Sequence, residues 1–364
     1  MKALILANNY SGLYNFRREV VKALRENGIE VFIAAPFDGK KSYFEEIDCH
    51  LIDLPLSRRE TNPFKDIVLL GKYCTLLRRY SPEVVLSYTI KPNLYGGIAC
   101  QLYGVPQIAN ITGLGSAVEN PGWLQKLTVF LYRIGLRKTR MVFFQNKANR
   151  DFCLSRRMVK GANRLIPGSG VNIHYHSLQE YPEDGVIKFI FISRLLKEKG
   201  IEEYLDAAAS IKSRYPDTEF QIVGRSEEGY DRRLKQLQED GIVVYHGQQA
   251  DVRPFIGATH CTVHPSFYPE GMSNVLLESC AAGRPVITTN RPGCGEIVDD
   301  GKNGFLVKER DSTDLIRVIE RFLSLPYSQK RQMGLSARDK VEREFDRQVV
   351  VDAYLKEIKA ISGL

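Results

Sequence analysis

The stretch YPEGMSNVLLESCAAGRPV, residues 268–286, follows the segment 260–264 and ends within the segment 285–288, and both segments are predicted to be short buried strands. Its first part contains Pro269 and Gly271 and predicts a loop. The nearly all-apolar part that follows predicts a helix with Ser273 or Asn274 as its N-cap. A strand, a helix and a second strand in this order indicate a parallel sheet covered by helices.

Two carboxylates stand eight positions apart in this stretch, Glu270 in the loop and Glu278 inside the helix. A helix with so few polar residues is expected to be buried on most sides. Burial of an unpaired carboxylate costs several kcal/mol, so a carboxylate in this helix needs a hydrogen-bond donor. That donor is either a protein group or a hydroxyl of a bound ligand, and the residues alone leave both possibilities open.

The alternation of strands and helices extends over most of the chain. It runs from residue 2 to residue 145 and resumes from 188 to 288, while 167–185 is rich in glycine, serine, proline and polar residues. A chain of 364 residues is long enough for two domains. We therefore predict an α/β protein with two Rossmann-like, doubly wound parallel-sheet domains, 1–168 and 169–345, that face an inter-domain cleft. The C-terminal helix, 346–364, is expected to pack back on the first domain.

Composition narrows the class of protein. An apolar content of 43% and a charged content of 26% match a soluble globular chain, and no apolar run reaches the length of a membrane-spanning helix. The first seven residues form a strand-like run without a cationic leader, so we expect no export. The seven cysteines are widely spaced and form no Cys-x-x-Cys pair, which is typical of reduced residues in a cytosol.

The two halves of the chain carry opposite net charges. Residues 1–170 contain 25 lysines and arginines against 13 acidic residues, a net charge of +12, whereas residues 171–364 have a net charge of −4. This asymmetry suggests that the first half meets an anionic partner, such as a membrane surface, a lipid phosphate or a nucleic acid. A basic surface without a partner is the alternative.

Residues that follow predicted strands are the candidates for ligand binding. Arg194 and Lys199 flank a short loop that opens a helix, and such cations suit a diphosphate; a salt bridge to Glu198 or Glu202 is the alternative. Gly12, in a predicted loop at 8–12, would let backbone amides approach a phosphate or a sugar. The six histidines show no metal-binding spacing, and the chain has no Asp-x-Asp motif. If a sugar diphosphate leaves in the reaction, we therefore expect these cations, rather than a metal ion, to hold it.

One predicted helix, 123–138, has an apolar stripe with basic flanks. Its members are Trp123, Leu124, Leu127, Phe130, Leu131 and Ile134, with Lys126, Arg133, Arg137, Lys138 and Arg140 beside them. The stripe either covers the first sheet or lies on lipid, and the basic edge could meet an anionic leaflet together with Arg58, Arg59, Arg78 and Arg79.

Several segments of the second half occur in a combination that is more specific than any one of them. They are Arg194 with Lys199, Glu270 with Glu278 followed by AGRPV at 282–286, GCGE at 293–296 and GKNGF at 301–305. This combination resembles the retaining glycosyltransferases of family 4, which have the GT-B fold, and the resemblance covers nearly the whole chain.

The resemblance implies that the second domain binds a nucleotide sugar and the first an acceptor. Arg194 and Lys199 would hold the diphosphate, Glu278 the ribose hydroxyls, and Glu270 the donor sugar. The implied donor-binding residues are Gly12, Arg194, Lys199, Gly271, Met272, Ser273, Asn274, Val275 and Glu278. The implied catalytic residues are Glu270, Lys199 and Arg194, and Gly12 would lie under the diphosphate from the opposite domain.

A narrower resemblance rests on NPF at 62–64, KPN at 91–93 and GLGS at 113–116. These segments look like bacterial enzymes that extend sugars on undecaprenyl diphosphate, including N-acetylgalactosaminyltransferases. The residues expected near the acceptor or the sugar are Lys91, Asn93, Thr112, Gly113 and Gly115. The family often has a histidine after the fourth strand, but residues 87–91 contain none; Lys91 either contacts the sugar or acceptor phosphate or is a surface lysine.

The resemblance implies a metal-independent, retaining transfer of a hexose or N-acetylhexosamine, with N-acetylgalactosamine favoured, from a UDP-sugar to a polyprenyl-diphosphate-linked acceptor. Surface polysaccharide or glycan assembly is the expected process. The expected partners are the nucleotide sugar, this acceptor and an anionic membrane surface, with no cofactor and no nucleic acid. We expect a cytoplasmic protein, peripheral on the inner face of the plasma membrane. A nucleotide-sugar epimerase of the same fold, a catalytically silent nucleotide-sugar-binding scaffold and an enzyme for a soluble polysaccharide remain alternatives.

Overall fold

A computed structural model describes residues 1–56, 62–115, 122–227 and 229–363. The chain forms two compact units. Unit 1 comprises Met1–Gly170, Glu270–Met272 and Arg347–Leu364, and unit 2 comprises Val171–Pro269 and Ser273–Asp346. The loop within 268–286 is therefore divided, because Glu270–Met272 lie among the residues of unit 1. Arg58 and Arg59, assigned above to a basic surface, lie outside the described residues.

Unit 1 is built on a parallel sheet of seven strands in the order β3-β2-β1-β4-β5-β6-β7. The strands are β1 (Lys2–Leu6), β2 (Glu30–Ala35), β3 (His50–Asp53), β4 (Val84–Tyr88), β5 (Gln107–Ile111), β6 (Met141–Phe144) and β7 (Ala162–Leu165). The central strands β4, β5 and β6 are buried at every position, as expected for a sheet covered on both faces. Polar residues that follow these strands consequently meet at one edge of the sheet.

Unit 2 contains a second parallel sheet, with six strands in the order β10-β9-β8-β11-β12-β13. Its strands are β8 (Ile187–Ile192), β9 (Thr218–Val223), β10 (Val244–Tyr245), β11 (Cys261–His264), β12 (Val286–Thr289) and β13 (Gly304–Val307). Buried side chains of β8, β9 and β11 form the core of this unit together with the apolar faces of the helices 201–214 and 312–323. The prediction of two doubly wound parallel sheets is confirmed.

Helices connect the strands in both units. They are α1 (Tyr10–Glu26), α2 (Lys41–Glu46), α3 (Pro63–Tyr80), α4 (Gly97–Tyr103), α5 (Trp123–Gly135), α6 (Lys147–Ser155), α7 (Ile201–Arg214), α8 (Asp231–Glu239), α9 (Arg253–Gly257), α10 (Asn274–Ala281), α11 (Ser312–Leu323), α12 (Tyr327–Glu344) and α13 (Arg347–Ser362). Helix α13 belongs to unit 1, where the Tyr354 ring lies 4.8 Å from that of Phe143 and its hydroxyl accepts a hydrogen bond from Asn110. Among the described residues, no helix has both the length and the apolar character that crossing a bilayer requires.

Short elements at the sheet edges are the ones that sequence patterns missed. Strands β3 and β7 have four residues each, and none of these residues is buried. Strand β13 is equally short but mostly buried, and its first residue, Gly304, weakens the strand signal of so short a segment. A half-exposed edge strand carries neither a continuous apolar run nor a clear alternation, so its sequence resembles that of a loop.

Helix α5 packs on unit 1 with a different face from the apolar stripe. Its buried residues are Val129, Tyr132 and Gly135, and the first two join the core cluster around β5 and β6. The large apolar residues exposed on α5 are Trp123, Leu124, Leu127, Phe130 and Ile134, with Trp123 74% exposed. Among the residues predicted for the stripe, only Leu131 packs against the core. Covering the sheet therefore does not explain this stripe.

Candidate functional site

The carboxyl ends of β8 and β11 bring two loops of unit 2 together. The two strands are parallel neighbours, with Cys261 paired to Phe189. The loop after β8 contains Arg194 and Lys199, and the loop after β11 leads into the quoted stretch. The backbone N–H of Phe267 donates a hydrogen bond of 2.9 Å to the carbonyl of Glu198, which ties the loops to each other.

Close backbone approach requires a glycine at the end of the first of these loops. Gly200 has a φ of +81°, and a Cβ atom there would lie 2.3 Å from the carbonyl oxygen of Pro265. Only glycine meets both conditions without strain. Helix α7 begins directly after Gly200, so this contact also fixes the start of the helix beside Lys199.

The ring of Tyr268 lies close to both cations of this site. Lys199 is only 8% exposed, and its Nζ lies 4.6 Å from the centre of the Tyr268 ring. The Arg194 guanidinium carbon lies 5.8 Å from the same centre. Arg194 also pairs with Glu227, at 3.4 Å between Nη1 and Oε2, and Glu202 pairs with Arg233. The sequence identified the cations, whereas the role of Tyr268 emerges from the structure.

The N-terminus of α10 carries two polar side chains, Ser273 and Asn274. Ser273 is the N-cap residue, yet its side chain makes no capping hydrogen bond. Within the part of the chain that the structure describes, Ser273 Oγ and Asn274 Oδ1 are buried and have no hydrogen-bond partner. The backbone N–H of Ser273 donates instead to the carbonyl of Gly293, at 2.7 Å. A helix start with unsatisfied polar atoms is suited to an anionic or hydroxylated ligand.

Glu278 lies one turn inside α10 and is partly buried rather than fully enclosed. Val275, on the first turn, is partly buried and packs against the cluster around Ile190 and Ile192. The GCGE segment supports the helix start, because Glu296 accepts a hydrogen bond of 2.7 Å from the Gly293 N–H.

Arg284 of the quoted stretch has a structural role. It is completely buried and donates hydrogen bonds to the carbonyls of Ile256, Gly257, Glu180 and neighbouring residues. Burial lowers the pKa of its guanidinium to about 10, so it remains a cation at neutral pH. Arg284 precedes β12 and thus lies at the opposite end of the strand from the ligand-binding edge.

The middle of the stretch packs in unit 1. The side-chain amide of Asn146 donates hydrogen bonds to the carbonyls of Glu270, at 3.0 Å, and Gly271, at 2.7 Å. A Cβ atom on Gly271 would lie 2.4 Å from the carbonyl oxygen of Thr112 and 2.3 Å from Gln145 Oε1. Met272 is equally close to Gly168, where a Cβ atom would lie 2.5 Å from the Met272 Cβ.

Gly12 lies in the first turn of α1, so the prediction of a loop at 8–12 was wrong. The helix begins at Tyr10 because Asn9 caps it, accepting a hydrogen bond of 2.9 Å from the Gly12 N–H. The Ser11 N–H donates to Asp38 Oδ2 at 2.8 Å. Both amides are thus occupied by protein acceptors, one of them a carboxylate. A phosphate at this helix end would have to displace Asn9 and would meet the charge of Asp38.

The residues expected near the acceptor lie in two environments. Asn93 is buried, its Oδ1 accepting from the Ser87 hydroxyl and its Nδ2 donating to the Asn110 carbonyl, which makes it part of the internal structure of unit 1. Lys91 forms an ion pair with Asp66, at 2.8 Å between Nζ and Oδ1. Thr112 follows β5, and Gly113 and Gly115 both adopt a positive φ directly after it.

The structure thus brings together Arg194, Lys199 and the start of the stretch in unit 2, and Glu270, Gly271 and Thr112 in unit 1. Gln145, Asn146 and Tyr268 were not recognised from the sequence. Gln145 and Asn146 directly follow the buried strand β6, which is the signal that could have identified them.

Two protein families match separate parts of the chain. Residues 178–340 match the family described as Glycosyl transferases group 1, and residues 2–146 match the family described as Glycosyl transferase 4-like. The matched ranges contain every sheet strand except β7, together with the site residues of both units. The chain belongs to the GT4-type glycosyltransferases.

Relatives with known names extend over nearly the whole chain. An N,N'-diacetylbacillosaminyl-diphospho-undecaprenol alpha-1,3-N-acetylgalactosaminyltransferase of Campylobacter jejuni is 24% identical and covers 98% of each chain. The capsular polysaccharide biosynthesis glycosyltransferase CapM of Staphylococcus aureus is 25% identical, covering 92% of this chain and 90% of its own. These relatives are glycosyltransferases in the assembly of bacterial glycans.

Solved structures establish the fold class. A glycosyltransferase from Rickettsia africae superposes with a TM-score of 0.82 at 19% identity, covering 99% of this chain and 98% of its own. Anabaena HepE, determined in complex with UDP and glucose, superposes with a TM-score of 0.80 at 19% identity and covers all of both chains. The fold is GT-B, as the resemblance implied.

The close packing of Gly271 generates a prediction about stability. The substitution Gly271→Ala places a methyl group against the Thr112 carbonyl and Gln145, and we expect it to destabilise the protein by about 1–3 kcal/mol. A matched substitution is Gly71→Ala in α3, where a Cβ atom meets nothing within 4 Å; it should be neutral or stabilise by up to about 1 kcal/mol. Thermal unfolding measures both, and equal Tm values would show that the Gly271 contacts are not made in solution.

Proposed function

We propose that this glycosyltransferase moves a hexose or N-acetylhexosamine, with N-acetylgalactosamine favoured, from a UDP-sugar to a polyprenyl-diphosphate-linked acceptor with retention of configuration. The observation that carries the donor half is the arrangement of Arg194 and Lys199 at the sheet edge where α10 begins with buried polar atoms that no described residue bonds. Fixed cations and an open helix start are the groups that a nucleoside diphosphate needs.

The residues divide the donor between them. Lys199 and Arg194 hold the diphosphate, and Ser273 with Asn274 supplies further polar contacts from the helix start. Glu278, partly buried on α10, accepts hydrogen bonds from the ribose hydroxyls. Glu270 contacts the donor sugar. Because Lys199 is nearly buried and held near Tyr268, its charge is in place before the donor arrives.

In the reaction the bond between the anomeric carbon and the diphosphate oxygen breaks, and a bond from the acceptor hydroxyl oxygen to the same carbon forms on the same face. The acceptor proton passes to the departing diphosphate. Negative charge therefore grows on the diphosphate in the transition state, and Lys199 and Arg194 stabilise it there more than in the ground state. In this proposal the two cations take the role that a divalent ion has in other transferases.

The similar proteins support the identities of donor and acceptor. Anabaena HepE binds UDP and glucose in its solved complex, and its fold extends over the whole of this chain. The Campylobacter relative acts on an undecaprenyl-diphosphate-linked sugar and transfers N-acetylgalactosamine. We propose the same two substrate classes for this chain, a UDP-sugar as the donor and a polyprenyl-linked sugar as the acceptor.

A lipid-linked acceptor requires access to a membrane surface, and α5 supplies a face for it. The exposed members of its apolar stripe, Trp123, Leu124, Leu127, Phe130 and Ile134, lie opposite the buried side of the helix. Exposed basic residues surround it: Lys126, Arg133, Arg137, Lys138 and Arg140. An apolar stripe with an interfacial tryptophan and a cationic rim suits an anionic leaflet. We therefore propose a peripheral protein on the cytoplasmic face of the plasma membrane.

The transfer proposal is tested by incubating the purified protein in EDTA with UDP- and GDP-sugars and with polyprenyl-diphosphate-linked or water-soluble acceptors. We expect a product from a UDP-sugar and a lipid-linked acceptor, with its anomeric configuration retained and its rate independent of the chelator. Loss of activity in EDTA would contradict the metal-free mechanism. Donor binding without transfer to any acceptor would favour a scaffold, and a changed donor sugar without any acceptor would indicate an epimerase.

Lys197, in the same loop, provides a control for the proposed role of Lys199. Lys199→Ala should weaken UDP binding by roughly 10–100-fold, because a charge-assisted hydrogen bond contributes about 1.5–3 kcal/mol. Lys197→Ala removes the same charge from an exposed position two residues away and should change the Kd by less than about twofold. Calorimetric titration with UDP measures both, and equal losses would assign the effect to general electrostatics.

Membrane binding depends on the apolar stripe in this proposal. Leu127→Glu should reduce flotation with phosphatidylglycerol vesicles by roughly tenfold, since it removes apolar burial and adds a repelled charge. Val349→Glu on α13 is the matched control, because the two side chains are 43% and 42% exposed and the charge change is identical. Binding should also weaken with salt. If Leu127→Glu instead dissociates an oligomer and leaves flotation unchanged, the stripe is a protein interface.

A further inference from the structure

A cavity of about 260 Å³ lies in unit 1 at the beginning of α3. Its walls come from the segment after β3, the first turns of α3 and Lys91. Three of the lining residues are lysines, Lys65, Lys72 and Lys91, and one, Asp66, is an acid. The ionisable walls therefore carry a net charge of +2, in a half of the chain that is itself strongly basic.

One of the three lysines is fixed in place. Asp66 Oδ1 lies 2.8 Å from Lys91 Nζ, and Asp66 Oδ2 accepts a hydrogen bond of 2.8 Å from the Tyr95 hydroxyl. Burial and the contact with Asp66 raise the pKa of Tyr95, so the phenol keeps its proton and remains a donor. Lys91 is mostly enclosed, whereas Lys65 and Lys72 are exposed on α3.

The remaining walls of the cavity are apolar. Leu56, Phe64, Val68 and Leu69 line it beside the lysines. Phe64 is 80% exposed, and Ile67 and Val68 are also exposed on the same turns of α3. A free phosphate needs only the cations, and an uncharged lipid needs only the apolar wall. The combination suits an amphiphile with a compact anionic head and a hydrocarbon chain.

We propose that this cavity binds the diphosphate and the first isoprene units of the polyprenyl-linked acceptor. Lys65, Lys72 and Lys91 contact the diphosphate oxygens, and Phe64 and Val68 contact the hydrocarbon. This assignment rests on the proposed function for the chemical class of the acceptor, but the contacts that support it lie within unit 1 alone. It also gives Lys91 a role as an anion-binding residue that Asp66 and Tyr95 hold in position.

Binding to the full-length protein is measured by calorimetry with farnesyl diphosphate, inorganic pyrophosphate and farnesol, in the absence of any donor. We expect farnesyl diphosphate to bind at least about tenfold more tightly than either other probe, because only it uses both walls. Phe64→Ala should weaken the binding of farnesyl diphosphate and leave the binding of pyrophosphate unchanged. Pyrophosphate binding as tight as that of farnesyl diphosphate would overturn the proposal in favour of a free-phosphate site.

The lysines are tested by the double substitution Lys65→Ala/Lys72→Ala, which should weaken the binding of farnesyl diphosphate by roughly tenfold or more. The control is Lys22→Ala/Lys359→Ala, which removes the same charge from exposed positions elsewhere in unit 1 and should change the Kd by less than about twofold. Unchanged circular dichroism of each variant shows that the fold persists. Equal losses in both double variants, or full competition by phosphatidylglycerol vesicles, would overturn the proposal.

Measurement of the transfer reaction distinguishes a failure of this cavity proposal from a failure of the proposed function. If the Lys65→Ala/Lys72→Ala variant raises the KM for a polyprenyl-linked acceptor and leaves UDP binding unchanged, both stand. Transfer with an unchanged KM for the acceptor would keep the function and reject the cavity. Lysine-dependent binding of farnesyl diphosphate without transfer to any polyprenyl acceptor would keep the cavity and reject the function.

Discussion

The parallel pairing of β8 with β11 is the constraint on which the candidate donor site depends. Parallel neighbours end at the same edge of a sheet, so the segments after them meet although about seventy residues separate them in the chain. The hydrogen bond from Phe267 to the Glu198 carbonyl and the close approach of Gly200 to Pro265 then fix the two loops against each other. Lys199 and Tyr268 take their positions from these backbone contacts.

The electrostatics of the site follow from this rigidity. A lysine that is almost buried would ordinarily be costly, and here its charge lies against an aromatic ring, where the ring quadrupole stabilises it. Helix α10, which begins after the loop that contains Tyr268, leaves Ser273 Oγ and Asn274 Oδ1 unbonded within the described residues. Most buried polar atoms in a folded protein have a partner, and unbonded ones at a helix start are suited to a polar ligand.

Unit 1 combines basic and apolar surfaces in two separate places. Helix α5 turns its apolar stripe outward within a cationic rim, and the beginning of α3 places exposed apolar residues beside three lysines. Isolated exposed apolar residues are common on proteins, whereas contiguous ones bordered by lysine and arginine point to amphiphilic partners. The two surfaces differ in shape, since the stripe is convex and helical and the second forms a cavity. They therefore suit a bilayer surface and a single lipid head, respectively.

Sequence periodicity by itself determined the α/β class and the two sheets, because strands buried on both faces are written as continuous apolar runs. Motif spacing also singled out Arg194, Lys199, Glu270 and Glu278. The sequence did not predict short edge strands such as β3 and β7, because half-exposed segments of four residues leave no periodic signal.

Only the tertiary structure decided which polar groups already have a protein partner: the Gly12 amide bonds to Asn9, the Asn93 side chain bonds inside unit 1, and Lys91 pairs with Asp66. It also divided the stretch 268–286, placing Gly271 against Thr112 and Gln145 in unit 1 and Ser273 in unit 2. The physical reason is that local sequence sets the period of burial along the chain, whereas the hydrogen-bond partner of a side chain is set by residues that are distant in sequence.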